Sequence, residues 1–534
     1  MKASTAIDRL KPEQWANTSV LERLHLLEQV RHNLKSHGDE LASSDAEMKN
    51  GLMGEALFGP AESKVATVVP IANTLSAAIE LYEALAKGEM LAPQGVEPVG
   101  AGHRIQVFPA TAKEKIMAGG QKAYVYVTGE PKQVSPMDKP AGIIAVLGAG
   151  NYSSSLEMVK AMFFDNCAVV HKPHHLNQKT DEVWATIFAP LVEIGALSFC
   201  DADQGRDLTQ DSRIDKIYFT GGTGTAEAIQ AASSAELVSE CGGNNPCLIV
   251  PGIRPWTDKE IEHQAVQIAT TAKLNGGAVC GRPQSIITSK QWPQREQFLT
   301  ALRVAISETT PAAGTYYPGS DKVWEGFAEA YPDAEILQPE QGKYQSGKFM
   351  FITGVEEDGY AVNNEAFCQI INEIPLDVAA EPEAFLRYAV DFCNSKLHGT
   401  LGACLLVDEY TRKQHQNAVS QAVADMHYGG ITVNTMPPFV FLSPYLTWGG
   451  NEQREGQPFV SGHGNFGNLL GFENIEKSVI EDSFMSPGHM INRSKAAFDT
   501  LSNGMARYAV DPSWMNLTRL VGGAMTSGCK KKDF

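Results

Sequence analysis

Positive charge is what this sequence has least of. Its 44 Lys and Arg face 62 Asp and Glu, a formal net charge of -18. Nucleic acid and anionic membrane both call for clustered cations, so the balance argues against either as a partner. The last basic run, Lys530-Lys531-Lys532, is short and reads as a solvated tail. Paired cysteines are missing too. Nine cysteines lie scattered through apolar segments, with no CxxC pair and no Cys/His grouping. That supports neither a metal site nor a disulfide framework, and it suits a reducing compartment. No stretch reads as long and apolar enough to cross a membrane. Met1-Lys2-Ala3 runs into a charged amphipathic segment, not a signal-peptide core. The expectation is a cytoplasmic protein with no nucleic-acid or membrane partner.

What is present is ordinary for a folded chain: 43% hydrophobic and 20% charged residues over 534 positions. That length exceeds one core and predicts two or three domains. Residues 13–90 read as helical, with Leu21, Leu24, Leu27 and Val30 at helical spacing, and a second helix spans about 72–85 after Pro70. The Gly- and Pro-rich stretch 91–102 reads as a loop. Alternation at Tyr124, Val125, Tyr126, Val127 and Thr128, broken by Gly129-Glu130-Pro131, predicts a β-hairpin over 124–134. Strands then alternate with helices. Short apolar runs at 143–147, 167–171 and 214–219 precede helices, and the pattern restarts after Gly243 with strands at 248–251, 285–289, 349–354, 403–407 and 430–434. Buried-type strands alternating with helices mean α/β architecture with parallel sheets, whose ligands sit at the carboxyl ends of the strands. A final helix is predicted over 492–505.

Several motifs fall at those strand ends. Thr220-Gly221-Gly222-Thr223-Gly224 follows a strand and opens a helix. Helix N-terminal N–H groups there can hold a pyrophosphate, or the glycines can serve only a tight turn. Gly148-Ala149-Gly150 lacks the full spacing of a dinucleotide fingerprint. Lys172 ends a strand and either meets a ribose hydroxyl or is solvated. Glu240 precedes a glycine pair; burial in an apolar cleft would raise its pKa and suit it to general-base work, and a salt bridge is the alternative. Glu365 and Phe367 could present a carboxylate and a ring side by side, or form a surface turn. Cys280 lies in Asn275-Gly276-Gly277-Ala278-Val279-Cys280, where glycines let the backbone approach a ligand. A thiolate is intrinsically nucleophilic, although most free cysteines are simply small buried hydrophobes.

The joint order of these stretches resembles the NAD(P)-dependent aldehyde dehydrogenase superfamily, over roughly residues 15–480. The resemblance implies two parallel-sheet α/β domains with an oligomerisation hairpin. It places a dinucleotide-binding domain at 1–118 and 138–245, a catalytic domain at 246–450, an oligomerisation arm at 119–137 and 451–480, and a C-terminal extension at 481–534. It implies that Cys280 attacks an aldehyde carbon, that the Asn151 amide and the Cys280 N–H hold the oxyanion, and that Glu240 activates the water that hydrolyses the thioester. Lys172 would bind the adenosine ribose, Thr220, Gly221 and Gly222 the pyrophosphate, Glu365 the nicotinamide ribose, and Phe367 would pack near the nicotinamide. The implied partners are a small-molecule aldehyde and further copies of the chain, as a homodimer or homotetramer.

The sequence also departs from the family pattern. Ala149-Gly150 replace Pro-Trp, Ser153 replaces a proline, and Cys368 follows Phe367 where Gly-Pro is common. His175 stands where NAD-preferring members carry a glutamate, with His174 beside it. Without a carboxylate to repel a 2′-phosphate, NADP is expected to be accepted alongside NAD. Two other functions fit the same motifs: an acylating enzyme that passes the thioester to coenzyme A, or a non-catalytic protein of this fold. Glu240 argues against the first, and the retention of Cys280, Glu240, Asn151 and Lys172 together against the second.

Overall fold

The computed structural model describes residues 1–152, 154–451, 460–486 and 494–527. Ser153, the terminal lysines, and parts of the 451–480 and 481–534 segments lie outside them. After two short helices, Ala3–Asp8 and Pro12–Ala16, comes a long one, Val20–Met53, started by a reciprocal capping box between Ser19 and Glu22. Leu27, Val30, Leu34 and Leu41 form its buried stripe, while Leu21 is 67% exposed, off that stripe. The stripe packs on the helices Val68–Leu85 and Gln178–Ile187. Pro70 sits inside the first turn of Val68–Leu85, where its missing N–H costs nothing. Pro60–Leu85 as a whole is apolar enough to span a bilayer, against the sequence reading, but 72% of its most apolar window is buried inside the fold.

The first sheet has five strands, three of them where the alternation predicts strands, at 143–147, 167–171 and 214–219, with Leu197–Phe199 and Glu236–Glu240 in addition. Its order is Leu197–Phe199, Ala168–Lys172, Ile143–Leu147, Lys216–Thr220, Glu236–Glu240, and every pairing is parallel. The first strand in sequence is therefore central, and the order reverses between Ile143–Leu147 and Lys216–Thr220. In such sheets the crevice outside the strand ends at that reversal is where ligands bind.

The second sheet has eleven strands. Ile475–Glu481, Gly430–Val433, Gly402–Leu406, Asn245–Ile249, Pro283–Ser289, Ile370–Leu376 and Phe349–Ile352 run parallel in that order. Three antiparallel strands extend one side and one extends the other. The alternation at 124–128 is correctly a strand, Lys122–Thr128, but no hairpin over 124–134 forms. The strand pairs with Gly102–Phe108 on one side and Ile475–Glu481 on the other. Pro131 lacks the donor a return strand needs, and Val134 instead donates to the Gly471 carbonyl. The actual hairpin is upstream: Gly95–Val99 turns through Gly100 into Gly102–Phe108, in the stretch expected to be a loop. Lys122–Thr128 is thus interior, and the exposed edge is Gly95–Val99.

The C-terminal extension holds two helices, Lys495–Val510 and Trp514–Ser527. The first begins at Ser494, whose hydroxyl accepts from the Ala497 N–H. It packs against Pro60–Ala66 and Val68–Leu85.

Candidate active site

Cys280 is positioned by what ends the helix before it. Asp258–Lys273 stops where the Lys273 ammonium reaches the carbonyls of Ile306, Thr310 and Pro311 and the Thr310 hydroxyl. Three consecutive residues then take left-handed φ: Asn275 at 51°, Gly276 at 64° and Gly277 at 83°. Only glycine visits that region freely, and a side chain on Gly276 would also strike the Gly314 carbonyl. This bend delivers Cys280 half-buried at the foot of the strand Pro283–Ser289. Asn245 locks it there: its amide donates to the Cys280 carbonyl at 2.6 Å and the Arg282 carbonyl at 2.7 Å. The Asn245 Oδ1 in turn accepts from the Gly402 N–H at 2.9 Å.

Glu240 comes from the other sheet. It ends the strand Glu236–Glu240, and its carbonyl accepts from the Gly221 N–H at 3.1 Å, tying it to the predicted phosphate turn. Gly242 turns at φ +64°, and Gly243 lies so close to Cys280 that a Cβ there would enter the Cys280 carbonyl and stand 2.8 Å from Glu365 Oε1. The glycine pair is what lets carboxylate and thiol meet across the two sheets. The Glu240 side chain is 1% exposed. Its carboxylate faces the Cys280 thiol and the Trp448 indole closely enough to interact with both, though neither oxygen has a hydrogen-bond partner of good geometry. Burial pushes the Glu240 carboxyl up to about 7, against the pull of those two contacts. The Cys280 thiol is raised well above its usual value, first by burial and then by the Glu240 charge. The site therefore sets a reluctant thiol beside a carboxyl poised near neutrality.

Asn151 reaches the same loop. Its amide donates to the Ala278 carbonyl at 3.1 Å, and the Asn275 amide converges on that carbonyl at 3.1 Å and on the Asn151 carbonyl at 3.2 Å. An amide carries two N–H groups, so this bond leaves one for an oxyanion. Among the described residues the Cys280 N–H has no hydrogen-bond partner. Glu365 and Phe367 arrive from the segment after helix Tyr360–Asn363. Two side chains missed by the sequence reading clasp it: buried Arg282 donates to the Ala366 carbonyl, and Gln284 donates to the Asn364 carbonyl at 2.8 Å and accepts from the Ala366 N–H at 2.6 Å. Phe367 stands edge-on to Tyr317, with centroids 5.0 Å apart. Tyr317 in turn lies beside Gly150, where a Cβ would be 2.8 Å from its hydroxyl.

At the strand ends, Gly222 begins the helix Thr223–Ala232 with no side-chain cap, and Gly221 and Gly222 are exposed. The Gly221 N–H is taken by the Glu240 carbonyl, so the turn can present the N–H groups of Gly222 and Thr223 to an anion. Lys172 lies two strands away, half-buried, its pKa lowered by burial. Its carbonyl accepts from the Gly148 N–H at 2.8 Å. His174 packs on Gly150 and stacks on His175 at 4.2 Å. Burial and the charges of His175 and Lys172 lower His174 to about 4, so it is neutral at physiological pH and is not a cationic partner for phosphate. His175 is exposed, outermost of the set. Cys280, Glu240, Asn151, Glu365 and Phe367 thus converge on one seam, with Thr220, Gly221, Gly222 and Lys172 along the crevice that leads to it.

Glu157, also missed, is 3% exposed with both carboxylate oxygens unpartnered. Burial, with a contribution from the Glu240 charge, pushes it up to about 8. A charged residue on the buried side of the helix predicted to follow the 143–147 strand was the available signal. A cavity of about 130 Å³ reaches Cys280 and Asn151, lined also by Tyr152, Val279, Phe441 and, from the C-terminal extension, Phe498. A larger groove of about 520 Å³ lies between Lys122–Thr128 and the helices after Asp408; no thiol lines it. No group of three metal-ligating side chains occurs among the described residues.

Residues 2–313 match the aldehyde dehydrogenase family model, a span that includes Asn151, Glu240 and Cys280. The chain belongs to the aldehyde dehydrogenase family. It is similar to aldehyde dehydrogenase family 3 member B1 of Rattus norvegicus, 26% identical over 176 residues, which cover 32% of this chain and 36% of that relative. The chain thus matches little more than a third of that relative's length. Among solved structures, the fold is shared with a mutant form of aldehyde dehydrogenase C of Pseudomonas syringae, complexed with NAD+ and octanal. That likeness has a TM-score of 0.63 and 14% identity, covering 91% of this chain and 89% of that one. NADP-dependent glyceraldehyde-3-phosphate dehydrogenase of Bacillus halodurans, complexed with NADP, gives 0.59 and 14% over 90% of each chain.

Proposed function

We propose that the protein oxidises an aldehyde to a carboxylic acid with NAD(P)+ through a thioester on Cys280. The observation that carries the reading is the meeting of Glu240 and Cys280 across the two sheets, made possible by Gly243. The dinucleotide fits the residues present: an uncapped helix start at Gly222, a half-buried Lys172 without an ion pair among the described residues, and Glu365 and Phe367 held by the Arg282–Gln284 clasp. When bound, the nicotinamide would supply the hydride acceptor. The fold neighbours crystallised with NAD+ and with NADP support a nicotinamide cofactor.

The residues of the chain do the rest. The Cys280 thiol releases its proton to solvent through the cavity, and the sulfur forms the bond to the carbonyl carbon. The free Asn151 N–H and the Cys280 N–H donate to the oxygen as it becomes anionic. Once the carbon has been oxidised, Glu240 removes a proton from water, whose oxygen adds to the thioester carbon; the C–S bond breaks and the sulfur leaves as thiolate. A carboxyl poised near 7 can run in both directions at neutral pH. Cys280→Ala should abolish NAD(P)H formation with every aldehyde while dinucleotide binding, followed by calorimetry, stays nearly intact. Turnover surviving in that variant would defeat the mechanism. Coenzyme A should not raise the wild-type rate; a marked rise would favour the acylating reading.

The same proposal includes NADP as an accepted cofactor, since no carboxylate stands at His175. It also includes self-association to a dimer or tetramer, through the exposed edge Gly95–Val99, whose five residues are all exposed.

A further inference from the structure

We propose that the C-terminal helix Lys495–Val510 is the size gate of the substrate cavity, and that the cavity takes uncharged, apolar aldehydes of about one ring or a short alkyl chain. The inference rests on Cys280 being the nucleophile. Its starting point is that Phe498, far along the chain, lines the same 130 Å³ cavity as Cys280 and Asn151. An engineered apolar cavity of roughly 150 Å³ holds one benzene molecule, which sets the scale. The walls here are of the same kind, with Val279, Phe441 and Phe498 among them.

The polar end of the cavity works against anions. Lys49 is the cation there, and it is already paired with buried Asp45 at 2.6 Å. Glu62 lines the cavity beside it. An aldehyde carrying a carboxylate or phosphate would meet the Glu62 carboxyl and an ammonium already committed to Asp45, an arrangement that offers it no free cation and selects against it. Phe498 is held in place rather than merely nearby. Its helix is capped by Ser494, buries Leu501, and is tied to Pro60–Ala66 by Lys64 Nζ to Asn503 Oδ1 at 3.0 Å. Lys495 adds a bond to the Leu57 carbonyl at 3.0 Å. A ring fixed on a packed helix gives a sharp limit, because each methylene beyond the wall must displace it.

The test compares wild type, Phe498→Ala and Phe498→Trp with linear aldehydes from butanal to dodecanal, benzaldehyde and succinic semialdehyde. Wild-type kcat/KM should peak near hexanal and benzaldehyde and fall beyond them, with succinic semialdehyde at least ~100-fold below butanal, within what a buried site discriminates. Phe498→Ala should raise the decanal-to-butanal ratio of kcat/KM by about tenfold or more, and Phe498→Trp should lower the benzaldehyde-to-butanal ratio, in the range of one or two methylenes. A second readout is independent of turnover: Kd of the matching alkanols for Cys280→Ala, with and without Phe498→Ala, by calorimetry. If no aldehyde is oxidised yet alkanol binding shows the size limit and Phe498→Ala relaxes it, the catalytic reading fails and the gate stands. If aldehydes are oxidised but all three enzymes share one chain-length profile, or succinic semialdehyde is preferred, the gate is wrong.

Discussion

Glu240→Gln separates two jobs that the geometry gives to one carboxylate. In the structure the thiol of Cys280 is raised by burial and, next, by the Glu240 charge. Gln removes that charge at nearly constant volume. Removing it takes away a charge that disfavours the thiolate, so the pH midpoint for iodoacetamide alkylation of Cys280 should fall. With the thiol easier to ionise, the first half-reaction survives, and mixing with aldehyde and NAD(P)+ should give a burst of about one NAD(P)H per site. Hydrolysis then lacks its base, and the steady-state rate should drop by about 10²–10⁴. The wild-type rate should rise with pH through about 7, where Glu240 becomes the carboxylate that accepts a proton, and that acid limb should vanish in the variant. An unchanged alkylation midpoint would refute the coupling. A missing burst would show that Glu240 is required to ionise the thiol, contrary to the order argued here.

Glu157→Gln should stabilise the protein in alkali. Its folded pKa, about 8, lies above its unfolded value near 4.5, so its favourable contribution is full below about 4.5 and is lost as pH rises through 8. The difference in Tm between variant and wild type should grow between pH 5 and pH 9, reflecting a cost of order a few kcal/mol; a flat difference would mean the carboxyl is not desolvated. For the cofactor, kcat/KM with NADP should be comparable to or above that with NAD, and His175→Glu should shift the ratio toward NAD. A wild-type preference for NAD of about a hundredfold, ~2.7 kcal/mol, would overturn the assignment. Sedimentation at micromolar concentration should show a dimer or tetramer; the 57.8 kDa monomer alone would contradict it.

The parts of the site legible in the sequence are those where chemistry constrains the backbone. Gly276 and Gly277 had to be glycine because the chain turns left-handed there, and Gly243 because a Cβ would enter the Cys280 carbonyl. Such constraints appear as local patterns, so Cys280, Glu240 and the turn at Thr220, Gly221 and Gly222 could be found without coordinates. Leu197–Phe199, three residues long, and the polar-flanked Glu236–Glu240 gave no apolar run to read, whereas the other three strands of the five-stranded sheet were legible as short apolar runs alternating with helices. Strand partners were not. The alternation from Tyr124 to Thr128 announces a strand facing two environments but says nothing about the partner, and Ile475–Glu481 lies roughly 350 residues further along the chain, beyond the reach of any local pattern.

The remaining omissions share one cause: they are residues whose role exists only through tertiary contact. Arg282 and Gln284 look like an ordinary polar start to a strand, yet they hold the backbone at Asn364 and Ala366 from which Glu365 and Phe367 project. Asn245 looks like part of a turn, yet it fixes the carbonyl of Cys280 itself. Phe498 sits on a helix whose period predicts only that it is amphipathic. Residues of the two kinds can vary to different extents. Gly243 and Gly276 admit no side chain without moving the backbone at the seam. The Phe498 wall belongs to a helix docked from outside by a cap and two lysine bonds. Its side chain can change size without disturbing Asn245, Gly243 or Glu240. Chemistry and substrate choice are thus carried by separable parts of the chain, and a change in aldehyde range at Phe498 should leave the acid limb set by Glu240 where it is.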